Sequence, residues 1–144
     1  MNKLCTIQPA SVDELIGSLD ELRRQIPAKE GLTEQEIRAR IEGKSHGIFK
    51  LVNNGVIEGI HVWYEDNGSG YLWLGYCKIK GQGHGKRLVE STLLDIGKKF
   101  NRTYVKVGID NMAVQGFLQN LGFTIYDQTD KVLYMEKELA NSNY

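Results

Sequence analysis

The heptapeptide Lys80-Gly81-Gln82-Gly83-His84-Gly85-Lys86 joins an apolar, strand-like stretch at residues 71–79 to an amphipathic, helix-like stretch that begins at Gly85. Few architectures admit such a join. Three alternating glycines let the backbone turn tightly and let a ligand come close, because no Cβ intervenes. The helix that follows turns free backbone N–H groups toward one spot, with about +0.5 of a charge from its dipole. Lys80, Lys86 and Arg87 add positive charge there. The combination is an anion site, and a diphosphate is its natural occupant. Two common nucleotide loops are excluded by spacing. A Walker A loop needs GxxxxGK and then Ser or Thr, but Gly85-Lys86 is followed by Arg87, and the earlier glycine position holds Lys80. A dinucleotide fingerprint needs GxGxxG after a first strand, whereas this is GxGxG after an antiparallel-looking meander.

The stretches around the loop have readable periods. Leu15, Ile16, Leu19, Leu22 and Ile26 recur at helical spacing, so residues 11–26 read as one helix, with Ser11 and Glu14 as a capping box and Pro27 as its stop. Thr33 and Glu36 repeat that signature ahead of a short second helix through Arg40. Then the period changes. Residues 47–52, 56–64 and 71–79 read as strands, with turns at Asn53-Asn54-Gly55 and at residues 65–70. After the glycine loop come a helix over 85–100, a strand over 104–109 and a helix over 112–121 that Gly122 terminates. Strands over 123–127 and 132–137 close the chain. This order is a mixed α/β domain, antiparallel at the front and βαβ-like behind.

At 144 residues the chain suits a single domain, residues 1–144. Lys plus Arg and Asp plus Glu are each 18, so no global basic field drives nucleic-acid binding. Cys5 and Cys77 are the only cysteines, and no CxxC or Cys/His cluster suggests zinc, so no metal is expected. The first ten residues lack the apolar core of a signal peptide, and no stretch approaches the ~20 apolar residues of a membrane span. The expectation is a soluble, cytoplasmic protein with neither nucleic acid nor membrane as partner.

Residues 80–85 resemble the (Gln/Arg)-x-x-Gly-x-(Gly/Ala) loop of the GNAT superfamily of N-acetyltransferases, with Lys80 in the first position. Asn111, Phe117 and Leu121-Gly122-Phe123 resemble that family's "N…A…FYxxxGF" helix, and Ile57-Glu58-Gly59-Ile60 resembles its third strand. The element order agrees over nearly the whole chain. The resemblance implies a central, mostly antiparallel twisted sheet of six or seven strands flanked by four helices. It implies acetyl-CoA as cosubstrate and a primary amine of a small molecule or peptide as acceptor. By the same resemblance, Leu74, Gly75 and Tyr76 pair with pantetheine on a strand that splays from its neighbour. Lys80, Gly81, Gln82, Gly83, His84, Gly85 and Lys86 hold the pyrophosphate, and Asn111 lies near the thioester end. Gly75, bare in mid-strand, suggests a bulge or a close ligand. A homodimer through strand edges or the C-terminal strands is a further arrangement the resemblance allows.

Two positions depart from the family pattern. The usual tyrosine acid is Leu118, and a position where some members carry a glutamate base is Lys106. Tyr76 and Tyr126 are the candidate catalytic residues in their place. His61, Glu58, Glu65 and Cys77 read more readily as packing or solvated charge. The acceptor region implied by the family is residues 25–32, 65–68 and 128–131, with Trp63 and Trp73 as lining. A non-catalytic acyl-CoA-binding or regulatory module is the alternative that Leu118 and Lys106 motivate, and a phosphate-binding regulatory domain is a third reading.

Overall fold

The computed structural model describes residues 5–26 and 29–139. Its elements are β1 (Cys5–Pro9), α1 (Val12–Gly17), α2 (Leu19–Gln25), α3 (Glu34–Ile41), β2 (His46–Asn53), β3 (Val56–Asp66), β4 (Ser69–Cys77), α4 (His84–Gly97), β5 (Arg102–Gly108), α5 (Met112–Asn120), β6 (Thr124–Gln128) and β7 (Val132–Glu138). All seven strands form one sheet, in the order β1-β2-β3-β4-β5-β7-β6. Every adjacent pair is antiparallel except β4 and β5, which run parallel around the α4 crossover. The expected mixed α/β architecture is therefore the observed one.

Local chemistry sets the registers. Asn54-Gly55 and Asn67-Gly68 turn with both residues at positive φ, the two-residue geometry that suits the strand twist. These turns fasten β2 to β3 and β3 to β4. One sheet face carries α1, α2 and α3, whose Leu15, Leu22, Ile37 and Ile41 pack on Ile60, Val62, Trp73 and Tyr76. The other carries α4 and α5, where Val89, Leu93, Ile96 and Leu118 pack on Trp63, Leu72, Val105 and Met135. Each such side chain, fully buried, contributes about 1.5–3 kcal/mol. Among the described residues no helix is long and apolar enough to cross a membrane.

Two expectations need correction. The helix read over residues 11–26 is two helices, so five helices flank the sheet in place of four. The break falls at Gly17-Ser18, a pair at which helices commonly bend. Ser18 takes φ −95° and ψ 7°, and its hydroxyl donates to the Glu14 carbonyl at 3.1 Å, competing with the regular ladder. Ser11 and Glu14 form the expected capping box, whereas Pro27 lies outside the described residues. The second correction is β1, a five-residue edge strand at residues 5–9, where no strand is expected from the sequence. Its only signal is the alternation of Cys5 and Ile7 with Thr6 and Gln8, and it is held in place by pairing with β2.

Candidate active site

Gly81 and Gly83 sit at φ +74° and +77°, the left-handed region that glycine enters without strain. A Cβ at either would meet nothing within 4 Å, so backbone conformation and not crowding selects glycine there. Gly83 is the N-cap of α4, and no side chain caps that helix. The N–H groups of His84, Gly85 and Lys86 precede the first helical bond, from Arg87 N–H to the Gly83 carbonyl at 3.1 Å, and have no acceptor among the described residues. Lys80, Gln82, Lys86 and Arg87 are exposed around them. His84 folds back from the loop. Its ring lies beside the Cys5 thiol and its Nδ1 accepts from Arg87 at 3.1 Å.

Beside this loop the sheet opens. β4 and β5 pair only at Gly70–Thr103 and Tyr71–Tyr104, and then separate. Thr103 locks the closed end by donating to the Gly70 carbonyl at 2.9 Å. The separation begins next to a bulge in β4: Trp63 pairs with Leu72 but Val62 pairs with Leu74, which leaves Trp73 as the extra residue. Beyond it Leu74, Gly75 and Tyr76 carry a free strand edge, with the α4 N-terminus at the open end. The V-shaped cleft implied by the sequence resemblance is thus present in this chain.

The bulge also sorts the side chains. Leu74 and Tyr76 join the core beneath α1–α3. Tyr76 lines a cavity of about 300 Å³ with Glu14, Gly17, Ser18, Glu21, Ile57 and Lys78, opened where α1 and α2 part. Burial pushes the Tyr76 hydroxyl above its ordinary pKa, so it keeps its proton at neutral pH. The carboxyls on the cavity wall are held below their ordinary values, Glu14 by its hydrogen bond with Lys50 and Glu21 by the Gln25 amide. Cys77, facing the other way, has its thiol raised by burial, and it donates to the Ile79 carbonyl at 3.3 Å.

Gly75 is explained differently from the sequence reading. The bulge lies two residues earlier, and what approaches Gly75 is the chain's own His61. A Cβ on Gly75 would stand 2.1 Å from His61 Nδ1 and 2.2 Å from its Cε1. His61 is half-buried with its Nδ1 sealed from solvent, and desolvation drives its pKa down to about 4, so its ring is neutral.

The remaining candidates fall in different places. Asn111 caps α5, its side-chain oxygen accepting from Val114 N–H at 3.3 Å, at the open end of the cleft. Tyr126 does not reach the cleft. It lies on the edge strand β6, beyond β5 and β7, 42% exposed, with the Arg102 guanidinium 5.0 Å from its ring. Leu118 is buried in the core under α5. Lys106 is exposed on β5, its ammonium 5.6 Å from the Tyr71 ring. Of the acceptor segments, residues 128–131 adjoin the open end, where Ile109 N–H meets the Lys131 carbonyl at 2.9 Å. Residues 65–68 belong to the hairpin beside the closed end, which removes them from the opening. Trp63 turns to α4 and donates to Asp95 at 2.9 Å, so it is a core residue and not lining. The Glu14–Glu21 cavity was missed because nothing in the helical period of residues 11–26 announces the break at Ser18.

No family model matches the sequence, and no curated protein matches it. Solved structures do match in three dimensions. The PaiA N-acetyltransferase from Thermoplasma acidophilum, in complex with coenzyme A, is 18% identical with a TM-score of 0.77, over 96% of this chain and 99% of that one. The ribosomal-protein-S18-alanine N-acetyltransferase from Escherichia coli is 19% identical with a TM-score of 0.75, over 98% and 99%. An acetyltransferase of the GNAT family from Streptococcus pneumoniae is 18% identical with a TM-score of 0.71, over 94% and 99%. Identities this low speak to architecture, and on that ground the chain has the fold of the GNAT N-acetyltransferases.

Proposed function

We propose that this protein is an acetyl-CoA-dependent N-acetyltransferase that passes the acetyl group directly to a primary amine of a small molecule or peptide. One juxtaposition carries the reading: uncapped N–H groups at the α4 start stand at the mouth of the gap that β5 leaves beside β4. A strand edge and an anion site are the two things an extended amide arm with a diphosphate head requires. The open left-handed glycines and the cations Lys80, Lys86 and Arg87 suit the diphosphate. The free edge from Leu74 to Tyr76 suits the arm.

Acetyl-CoA supplies the acetyl group already activated as a thioester. The loop and strand edge orient it. A backbone N–H on the open edge of β4 donates to the carbonyl oxygen, where negative charge grows as the amine attacks. The amine gives its ammonium proton to water and attacks the carbonyl carbon as its free base; the C–N bond forms, the C–S bond breaks, and the nitrogen's surplus proton leaves to water. Holding the two reactants together supplies much of the remaining acceleration. A thiol has a pKa near 8.5, so the departing sulfur needs only modest help. Tyr76, which keeps its proton, is the group assigned to give it. The acceptor enters from the α1–α3 side through the cavity that Tyr76 lines, whose wall carries Glu14, paired with Lys50, and Glu21, paired with Arg24, beside Lys78.

The test is thiol release from acetyl-CoA with a panel of small amines and peptide N-termini. The proposal expects release that depends on the amine. Tight CoA binding with no release across the panel would overturn the enzymatic reading in favour of a regulatory acyl-CoA-binding module.

A further inference from the structure

His61 is placed unusually for a mid-strand histidine. It projects from β3 on the α4 side of the sheet, as its neighbours on that strand face demonstrate. Two residues to one side, a Cβ on Gly59 would stand 3.2 Å from Leu88 of α4, and two residues to the other, Trp63 donates to Asp95 of α4. From there the imidazole reaches across β4 and lies on Gly75. Nδ1, Cε1 and Cγ are the ring atoms nearest to where a Cβ on Gly75 would stand, which leaves Nε2 and Cδ2 as the pair farther from Gly75. Nδ1 is sealed from solvent and has no hydrogen-bond partner among the described residues.

That orphaned nitrogen decides the tautomer. A neutral imidazole carries one N–H, and an N–H buried without an acceptor is costlier and rarer than an unused lone pair. The proton therefore belongs on Nε2. His61 presents a fixed N–H donor on the face of β4 whose other edge β5 has vacated.

The position relative to the anion site is also set. Gly85, at the start of α4, stands over Cys77, 3.6 Å from where its own Cβ would be. Gly75 is the next residue of β4 on that face, about 7 Å further into the cleft. A ligand whose phosphates sit at the α4 start, and whose arm runs down the open edge of β4, passes the imidazole after one strand repeat. Gly75 is what lets the ring lie low enough to border that path.

Resting on the acyl-CoA reading above, we infer that His61 is a binding residue for the arm of the cosubstrate, its Nε2–H donating to a carbonyl oxygen of the amide-and-thioester chain.

The test compares two probes on three proteins. CoA carries head and arm, whereas adenosine 3′,5′-bisphosphate carries a phosphorylated head alone. His61→Gln keeps an amide N–H near the Nε2 position, and His61→Asn keeps one only near Nδ1. Dissociation constants are measured by calorimetry on variants whose circular dichroism shows them folded. The inference expects His61→Asn to weaken CoA about tenfold, the worth of one hydrogen bond, with the bisphosphate unchanged and His61→Gln close to wild type. Equal losses for both probes, or CoA affinity unchanged in His61→Asn, would overturn it while the acyl-CoA reading stands. Wild-type protein that binds neither probe would overturn the acyl-CoA reading and this inference with it.

Discussion

Adding one methyl group at position 75 puts the packing of the cleft to a quantitative test. In Gly75→Ala the new Cβ would lie 2.1 Å from His61 Nδ1, 2.2 Å from Cε1 and 2.5 Å from Cγ. Ordinary contacts are about 3.5 Å, so the ring has to move by more than 1 Å. The bulge beside Gly75 and helix α4 above restrict that movement. Overpacking of this kind costs about 1–3 kcal/mol, and three ring atoms inside 2.5 Å place Gly75→Ala near the upper end. His61→Ala alone opens a void and costs about 2 kcal/mol. In the double variant the new methyl fills space the ring has left, so Gly75→Ala then costs under about 1 kcal/mol. The expected coupling is about 2 kcal/mol, measured by urea unfolding of the four proteins of the cycle. Costs that add to within about 0.5 kcal/mol would refute the contact.

Three further outcomes follow from the same geometry. His61 has a folded pKa of about 4 against an ordinary 6.5, so the unfolded chain alone takes up its proton between those values. Stability from this group is complete above about pH 6.5 and falls by up to about 3 kcal/mol on acidification to pH 4; urea midpoints across that range should fall less in His61→Gln, and identical slopes would contradict the burial. Tyr76→Phe should lower kcat about tenfold with little change in the KM for acetyl-CoA, and a KM effect alone would make Tyr76 a packing residue. Asn111→Ala should cost about 1 kcal/mol of stability through the lost α5 cap, with Asn111→Asp close to wild type; equal stability of all three would show that the cap contributes nothing.

The parts of this fold that are local in cause were legible in the sequence. Asn-Gly at 54–55 marks a hairpin, the polar residues 65–70 mark a turn that the structure narrows to Asn67-Gly68, and the stripe of Leu88, Val89, Leu93 and Ile96 demands a helix against the sheet. The glycine loop was legible for the same reason, since its conformation is written in residues that tolerate positive φ. What escaped depends on contacts between distant residues. The Asn67-Gly68 turn by itself would set His61 opposite Leu74, and only the extra residue at Trp73 moves it opposite Gly75. No local pattern marks that bulge. β1 escaped because an edge strand of five residues owes its form to β2. Tyr126 looked available until the order β5-β7-β6 carried it to the far edge. The catalytic groups were the least legible, because Leu118 and Lys106 stand where the family resemblance led one to look.

The central claim is that the α4 start and the open β4 edge together take acyl-CoA. Thermal unfolding of wild type and Gly85→Glu with acetyl-CoA, CoA, ATP and NAD addresses it most directly. Gly85 lies inside the helix at ordinary φ, with its Cβ position in van der Waals contact with Cys77. The glutamate leaves the fold intact, suits the helix dipole, and places a carboxylate where the diphosphate belongs. A ligand at a hundredfold excess over its Kd adds about 2.7 kcal/mol, roughly 5–10 °C in midpoint for a chain of this size. The account predicts that shift for CoA and acetyl-CoA in wild type, little for ATP or NAD, and none in Gly85→Glu. No shift with either CoA species, or an equal shift with ATP and NAD, would contradict it.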